Sequence, residues 1–177
     1  MNKIISKIDL KHLEIIRNGV KELIKLASID DSFEFIVLDI APQDHAGAKE
    51  YFSESKVLTL DIDKNSGADY IADLCCDNSK IIPSNSFDII ICTEVLEHTL
   101  NPFDAVKEIH RLLKPGGRVF VSTPFNFRIH GPLPDCWRFT EYGLRSMFRE
   151  YQSVDISFIE DNERFLMPIH YQTIAKK

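Results

Sequence analysis

The strongest constraint on the fold is the alternation of short apolar segments with amphipathic ones. The segments 33–40, 57–62 and 87–95 are almost continuous apolar runs, and 68–74 is a weaker run of the same kind. Runs of this length are typical of buried parallel strands. Because these strands alternate with helical patterns, the sequence predicts an α/β protein with an open, doubly wound sheet.

Helical patterns and further strands fill the rest of the chain. Apolar residues recur at three- and four-residue steps from Leu13 to Ala27, and Asn101-Pro102 forms a helix start. The Pro-Gly-Gly at 115–117 is expected to stop that second helix, whose buried stripe should contain Phe103, Val106, Ile109 and Leu113. The remaining predicted elements are helices within 44–52 and 140–151, a strand at 118–123, a strand at 153–160 and a strand at 170–175, the last two forming an antiparallel hairpin around Asp161-Asn162.

Length and composition support a single compact domain. The chain has 177 residues, of which 44% are hydrophobic and 27% charged, values typical of globular proteins. We expect one domain over 1–177, with an N-terminal helix within 1–30, a core over 33–177 and a long loop at 124–139. No apolar run reaches the ~18 residues of a membrane span, and the charged N-terminus lacks the apolar segment of a signal peptide. A cytoplasmic protein without membrane insertion is therefore expected.

Charge and cysteine content exclude several kinds of site. The chain carries 21 Lys+Arg and 27 Asp+Glu, a net charge of −6, and the acidic excess falls within residues 29–101. An acidic middle segment argues against nucleic-acid binding. The four cysteines form no C-x-x-C pair, so reduced thiols are expected rather than disulfides or a zinc site. No other metal-ligand spacing is visible, and no metal is predicted.

Polar residues stand at the ends of the four predicted strands. Asp39 ends the first strand, Asp61 the second, Asp73 the third and Thr93-Glu94 the fourth. In doubly wound sheets, ligands bind at these carboxyl ends, and an acid after the second strand is the usual acceptor for ribose hydroxyls. Each acid alone could equally cap the next helix. Four polar strand ends on one edge favour a nucleotide-like ligand.

The stretch IPSNSFDIIICTEVLEHTLNPFDAVKEIHRLLKPGGRVFVSTPF at 82–125 resembles a known family. Its Phe87-Asp88, Leu96-Glu97-His98 and Leu113-Lys114-Pro115-Gly116-Gly117 are similar to the motifs of class I S-adenosylmethionine-dependent methyltransferases of the small type 11 kind. The resemblance implies a Rossmann-like seven-stranded sheet of order 3-2-1-4-5-7-6 with strand 7 antiparallel and helices on both faces. It also implies S-adenosylmethionine as the cofactor.

The resemblance implies cofactor-binding roles for the strand ends. Asp61 would bind the ribose hydroxyls and Ile62 would pack on the adenine, while Asp73 and the backbone of Leu74 would contact the adenine amine. Backbone groups near Cys92 and Thr93 would face the methionine part of the cofactor. Glu94 and His98 would lie close to the site of methyl transfer.

The first loop departs from the family pattern. Family members have a glycine-rich loop after the first strand, whereas this chain keeps Asp39 and carries Ala41, Gln43 and His45 at the glycine positions. Pro42 restricts Ala41 further. Asp39, Ala41 and Pro42 are still expected to border the cofactor, in a differently shaped turn that serves the same ligand.

The loop at 124–139 contains the candidate residues for the acceptor site. Its HGPLPDCWRFT resembles a segment in methyltransferases thought to act on glycans or other small molecules, where it would cover the acceptor site. His130 is the first candidate for the general base and His98 the second. Asp135, Trp137 and Arg138 are candidate acceptor contacts. The alternatives are that Asp135 and Arg138 pair to hold the loop and that Trp137 belongs to the core, and for Trp137 the core interpretation is favoured.

The resulting hypothesis is methyl transfer to a hydroxyl or amine of a small-molecule or glycan acceptor. One alternative is a non-catalytic methyltransferase-like binding module, which the altered first loop alone supports. A second is an NAD(P)-binding Rossmann protein, which would need a glycine-rich first loop that this chain lacks. Titration with S-adenosylmethionine and with NADH separates the three hypotheses.

Overall fold

A computed structural model describes residues 5–42, 47–160 and 164–177. Within these ranges the strands form one mixed sheet. They are β1 (Ile36–Ile40), β2 (Lys56–Asp61), β3 (Tyr70–Ile71), β4 (Phe87–Thr93), β5 (Leu113–Pro124), β6 (Ser153–Ile159) and β7 (His170–Lys176). The helices are α1 (Lys7–Ala27), α2 (Pro102–Leu112) and α3 (Glu141–Met147), and short 3-10 turns occur at Ser28–Asp30, Gly47–Glu50 and Leu96–His98.

The strand order is β3-β2-β1-β4-β5-β7-β6, in a seven-stranded sheet. The strands from β3 to β5 are parallel to one another, whereas β7 is antiparallel to both β5 and β6. This topology confirms the predicted fold class. It also brings the carboxyl ends of β1, β2 and β4 to one edge, with the end of β5 beside them.

The two faces of the sheet are covered by different helices. Side chains alternate along a strand, so Ile89 and Ile91 of β4 pack with α1, while Ile90 and Cys92 pack with α2 and α3. The helix α1 begins at a Ser6 cap, whose hydroxyl accepts a hydrogen bond from the Asp9 N–H at 3.1 Å. Burial on both faces explains why the central strands are apolar throughout.

The junction between α2 and β5 differs from the prediction. The helix starts at Pro102 as expected, with the Asn101 side chain accepting from the Asp104 N–H, but β5 begins at Leu113 and runs through the Pro-Gly-Gly segment. Leu113 pairs with Phe87, and the register then shifts so that Arg118 pairs with Ile89. A Cβ at Gly117 would lie 3.0 Å from the carbonyl oxygen of Asp88. These glycines therefore serve an irregular strand rather than a simple helix stop.

Several other predicted elements are shorter than expected. β3 has two residues instead of seven because it pairs only with the end of β2, and α3 ends at Met147, before Tyr151. Phe103 was expected in the buried stripe of α2, but it is 55% exposed. The turn predicted at Asp161-Asn162 and the start of the helix predicted in 44–52 lie outside the described residues.

Among the described residues, no helix combines the length and apolar character needed to cross a membrane. The four cysteines all lie in described ranges and are free thiols. Burial of Cys92 raises the pKa of its thiol well above the usual range, which fits a side chain that acts as a small apolar core residue.

Candidate functional site

Asp39 is buried and accepts a hydrogen bond from the segment that follows the first loop. Its Oδ2 accepts a hydrogen bond from the Ala48 N–H at 2.7 Å, and only 3% of Asp39 is exposed. Gly47 has a positive φ of 57°, and a Cβ there would come 2.4 Å from Asp39 Oδ2. The carboxylate therefore packs directly against the Gly47 backbone. Its predicted contact with a cofactor stays a prediction.

The turn after β1 takes an unusual backbone form. Ala41 has a positive φ of 50°, and its N–H donates to the Leu60 carbonyl at 2.7 Å, which ties the ends of β1 and β2 together. Pro42 follows, half-buried. A non-glycine residue in this left-handed conformation is uncommon and often marks a functional turn. Gln43 and His45, at the other expected glycine positions, lie outside the described residues.

Asp61 ends β2 with one carboxylate oxygen available to a ligand. Its Oδ1 accepts from the Asp63 N–H at 2.8 Å, whereas Oδ2 makes no hydrogen bond to a described residue. The neighbouring Ile62 is 69% exposed. An available carboxylate oxygen beside an exposed apolar side chain fits the sugar and the base of a nucleoside.

Asp73 lies two residues beyond the end of β3, on the surface. Its Oδ1 accepts from the Cys75 N–H at 2.8 Å, and its backbone carbonyl accepts from the Asn78 side chain at 2.9 Å. Leu74 is buried in the core below it. These bonds fix the turn and leave the second oxygen of Asp73 exposed, as a contact with an adenine amine requires.

Glu94 follows Thr93 at the end of β4 and has a positive φ of 55°. Its N–H donates to the Ser122 carbonyl at 3.0 Å. Its Oε1 accepts from the Ser122 hydroxyl at 2.8 Å and lies 2.7 Å from His170 Nε2. Glu94 is therefore held against β5 and β7. His170 is not recognisable from the sequence as a partner of Glu94, because β7 is distant in the chain and no motif marks it.

Three side chains converge where the turn after β4 meets the loop after β5. Glu97 is fully buried, and neither of its carboxylate oxygens has a hydrogen-bond partner among the described residues. His98 Nε2 and His130 Nε2 each lie 3.8 Å from Glu97 Oε1. The two imidazole rings meet edge to face, with centroids 4.8 Å apart. We refer to these residues as the Glu97–His98–His130 cluster.

The charge state of this cluster depends on burial. Burial raises the pKa of Glu97 well above its usual value, and the nearby Glu94 carboxylate raises it further. Burial also lowers the pKa of His130. Glu97 belongs to the motif quoted in the sequence analysis but received no role there, because the motif does not tell which way the side chain points.

The loop 124–139 is tied to the turn after β4. The N–H groups of Cys136 and Trp137 both donate to the Glu97 carbonyl, at 2.7 and 3.2 Å, and His98 Nδ1 lies 2.9 Å from the Pro134 carbonyl oxygen. The loop therefore covers the cluster with a defined geometry.

Asp135 and Arg138 form the structural pair that the sequence left open. Arg138 Nη2 donates to Asp135 Oδ2 at 2.8 Å and to the Arg128 carbonyl at 3.0 Å. The Arg138 guanidinium holds the pKa of the Asp135 carboxyl well below its usual range. Asp135 also accepts from the His130 N–H at 2.9 Å. The pair thus organises the loop around His130.

Trp137 is not a core residue, contrary to the favoured expectation. It is 40% exposed. Its indole N–H donates to the Thr99 carbonyl at 2.8 Å, and its ring stacks on Phe139 at a centroid distance of 6.3 Å. An indole can satisfy its polar N–H at the surface and keep one face in solvent. Trp137 therefore stays a candidate acceptor contact.

Comparison with known proteins agrees with this architecture. Residues 19–121 match the family described as a methyltransferase domain, a stretch that runs from α1 into β5. The chain is 51% identical over 37 residues to a ubiquinone biosynthesis O-methyltransferase from Pseudomonas paraeruginosa, and this match covers 21% of this chain and 16% of that relative.

Two solved structures share the whole fold. A SAM-dependent methyltransferase from Archaeoglobus fulgidus has a TM-score of 0.67 at 15% identity, over 93% of this chain and 94% of that one. The 1,6-didemethyltoxoflavin-N1-methyltransferase of Burkholderia thailandensis, solved with 1,6-didemethyltoxoflavin and S-adenosylhomocysteine, has a TM-score of 0.64 at 18% identity, over 92% of this chain and 77% of that one. Together with the family match over more than half of its length, the fold establishes that this chain belongs to the type 11 family of class I S-adenosylmethionine-dependent methyltransferases.

Proposed function

We propose that this chain transfers a methyl group from S-adenosylmethionine to a hydroxyl or amine of a small-molecule or glycan acceptor. The observation that carries the proposal is a division of the sheet edge into two parts. Asp61, Ile62 and Asp73 follow β2 and β3, whereas the Glu97–His98–His130 cluster lies beyond β4 and β5. The first part suits a nucleoside and the second a reacting group.

Acidic side chains, one apolar side chain and main-chain groups bind the cofactor. Asp61 Oδ2 accepts from a ribose hydroxyl, Ile62 packs on the base, and Asp73 with the Leu74 backbone contacts the adenine amine. The Ala41–Pro42 turn and the main chain at Thr93 border the methionine part. When bound, S-adenosylmethionine supplies an electrophilic methyl group on a sulfonium centre.

The acceptor side lies under the loop 124–139. Its residues hold the acceptor's oxygen or nitrogen in line with the methyl group, and such positioning accounts for much of the rate in a displacement of this kind. His130 Nε2 is the first candidate to take the acceptor's proton and His98 the second. Glu94 borders the same space from β4.

Two of the similar proteins agree with an oxygen or nitrogen acceptor. The short curated match is to an O-methyltransferase, and one structural neighbour is an N1-methyltransferase with a small heterocycle bound. The two activities are those of the named proteins. They agree with the expectation of a small acceptor for this chain.

Calorimetric titration tests the proposal directly. We expect S-adenosylmethionine and S-adenosylhomocysteine to bind at one site per chain, and NADH not to bind. Methyl transfer is then assayed on phenols, amines and free sugars. NADH binding without S-adenosylmethionine binding would identify a nucleotide-binding Rossmann protein. Cofactor binding with no transfer to any acceptor class would favour a non-catalytic module.

A further inference from the structure

The Glu97–His98–His130 cluster has the composition of a metal site. One candidate ligand atom from each of the three residues lies within 4.8 Å of the other two. Two imidazoles and one carboxylate form a common ligand set of catalytic zinc and related ions, and this set leaves coordination positions open. The cluster lies beside the acceptor space rather than among the acids assigned to the nucleoside.

The buried carboxylate of Glu97 points to a missing positive partner. Its side chain is 0% exposed, and both oxygens are unpartnered among the described residues. A buried carboxylate is costly unless a cation or hydrogen bonds compensate it. The guanidinium of Arg138 acts on Glu97, but it already binds Asp135 and the Arg128 carbonyl.

The surrounding charges add to this requirement. Glu94 and Asp135 are two further acids near Glu97. Glu94 is engaged by Ser122 and His170, and Asp135 by Arg138. Neither acid therefore forms a hydrogen bond with Glu97. A bound cation would compensate the negative charge of Glu97 and of the two acids near it.

Both imidazoles present the correct nitrogen. His98 Nδ1 lies 2.9 Å from the Pro134 carbonyl. Because a carbonyl only accepts, Nδ1 carries the proton, and Nε2 offers a lone pair. That Nε2 is buried without a hydrogen-bond partner among the described residues. Metal-binding histidines usually hold their other nitrogen against a carbonyl or carboxylate in this way.

In His130, too, Nδ1 lies near an acceptor oxygen, here of a carboxylate, and Nε2 faces Glu97. Its Nδ1 lies 3.1 Å from Asp135 Oδ2, although the two groups are not well aligned for a hydrogen bond. Its Nε2 faces Glu97 Oε1 at 3.8 Å, as does that of His98. Ligand atoms around a tetrahedral ion with bonds of ~2.0–2.1 Å are ~3.3 Å apart. Closure by about 0.5 Å would bring each imidazole to this spacing from Glu97, and the two imidazole nitrogens, which lie within 4.8 Å of each other, would approach as well.

We propose that Glu97, His98 and His130 bind one divalent transition-metal ion of the zinc class at the acceptor side of this methyltransferase fold. Two nitrogen ligands favour such an ion over Mg²⁺ or Ca²⁺, which prefer all-oxygen sites. The proposal departs from the sequence-based expectation of no metal. That expectation rested on spacing along the chain, and the loop 124–139 brings His130 to residues that are remote in sequence.

The role of the ion in catalysis rests on the proposed function. An open coordination position would take the acceptor's hydroxyl oxygen and lower its pKa. The O–H bond breaks and the proton leaves to solvent; the oxygen bonds to the methyl carbon, and the electron pair of the broken C–S bond stays on sulfur. With the ion bound, His130 is a ligand, so solvent rather than His130 takes the proton.

The test is titration of chelator-treated protein with Co²⁺, followed by visible absorption, and then displacement by Zn²⁺. We expect one ion per chain, and at least about a hundredfold weaker binding in Glu97→Gln, His98→Gln and His130→Gln. His110→Gln is the control, because His110 lies on α2 against Tyr151 and outside the cluster. Absent Co²⁺ binding, or equal affinity in the cluster variants and the control, overturns the proposal.

A second measurement needs no variant of the cluster. Zn²⁺ should raise the Tm of the wild-type protein, and a chelator should reverse the rise, because an ion bound only by the folded state stabilises it. A Tm unchanged by Zn²⁺ overturns the proposal even if a cluster variant fails to fold. Both measurements omit the cofactor and the acceptor. If the protein binds the metal but not S-adenosylmethionine, the proposed function is refuted and the metal site stands. If it binds S-adenosylmethionine but not the metal, the metal site is refuted and the proposed function stands.

Discussion

The Cys136 N–H donates to the Glu97 carbonyl across 2.7 Å, and this bond joins the loop after β5 to the turn after β4. It places His130 opposite Glu97 and His98. The residues that we propose to bind the cofactor, by contrast, lie at the ends of β2 and β3. Because the two groups of residues belong to different elements, substitutions should separate cofactor binding from methyl transfer.

We expect Asp61→Ala to weaken S-adenosylmethionine binding by ~1–3 kcal/mol and to leave the fold intact, since a charge-assisted bond to a ribose hydroxyl would be lost. Calorimetry measures the affinity, and circular dichroism checks the fold. Asp155→Ala is the matched control, because Asp155 is an exposed acid on β6. Equal affinity in the two variants would remove Asp61 from the cofactor site.

In chelator-treated protein, His130→Ala should lower the rate of methyl transfer by a factor of roughly 10²–10⁴, the usual cost of losing an essential acid–base group, while the Kd for S-adenosylmethionine barely changes. The reason is that His130 lies on the acceptor side, away from Asp61. Single-turnover assays on an acceptor found by screening, paired with calorimetry, give both quantities. His110→Gln should keep the wild-type rate. Full activity in His130→Ala would exclude His130 from the reaction.

Arg138→Ala should lower the free energy of unfolding by ~2–4 kcal/mol. The Asp135 side chain is 0% exposed, so removal of its partner leaves a buried charge uncompensated. Denaturant unfolding measures the loss. In Arg145→Ala, which breaks the surface pair with Glu141, the loss should stay below about 0.5 kcal/mol. A stable Arg138→Ala variant with a raised KM for the acceptor would instead make Arg138 an acceptor contact.

Gly47→Ala should destabilise the protein more than Gly67→Ala, by at least about 1 kcal/mol. Both glycines have a positive φ, which costs an alanine a similar strain. Only at Gly47 would the new Cβ meet another atom, at 2.4 Å from Asp39 Oδ2, whereas nothing lies within 4 Å of it at Gly67. Urea unfolding followed by Trp137 fluorescence compares the two. Equal losses would show that Asp39 moves aside at little cost.

Asp31 should contribute stability that disappears in acid. Burial acts to raise the pKa of its carboxyl, but hydrogen bonds from Ser55, Glu54 and Ser53 together lower it to about 2, below the ordinary 3.8. A lowered folded-state pKa stabilises the protein fully above about pH 4, and the contribution is lost as the pH falls to about 2.

Asp31→Asn should therefore cost about 1 kcal/mol of unfolding free energy at pH 7, a value reduced by solvent screening, and almost nothing at pH 2. Chemical unfolding at a series of pH values checks this trend. Glu34→Gln is the control, because Glu34 is exposed and its carboxylate makes no hydrogen bond to a described residue. A cost for Asp31→Asn that does not change with pH would contradict the assignment.

The pattern of apolar runs and helices is sufficient to predict the layers of the fold and the sheet edge at which we propose that ligands bind. Apolar runs at β1, β2 and β4 can be buried only between helices, and parallel strands place their carboxyl ends together. The positions of Asp61 and of Thr93-Glu94 at strand ends follow from this rule alone. The strand order came from the family resemblance, and the structure confirms it.

Local patterns failed where long-range pairing overrides them. The Pro-Gly-Gly at 115–117 reads as a helix stop, but pairing of Leu113 with Phe87 draws the segment into β5. Phe103 fits a helical stripe, yet this residue is 55% exposed. Trp137 was expected in the core because it is large and apolar, although its N–H binds a surface carbonyl.

The groups that Glu97, His98 and His130 face follow from the tertiary structure. The sequence places Glu97 and His98 side by side and His130 far along the chain, so their spacing gives no sign of a metal site. Two hydrogen bonds to the Glu97 carbonyl bring the loop over the turn, and the same loop engages Arg138 with Asp135. Side-chain direction depends on such contacts between remote segments, which no periodicity along the chain encodes.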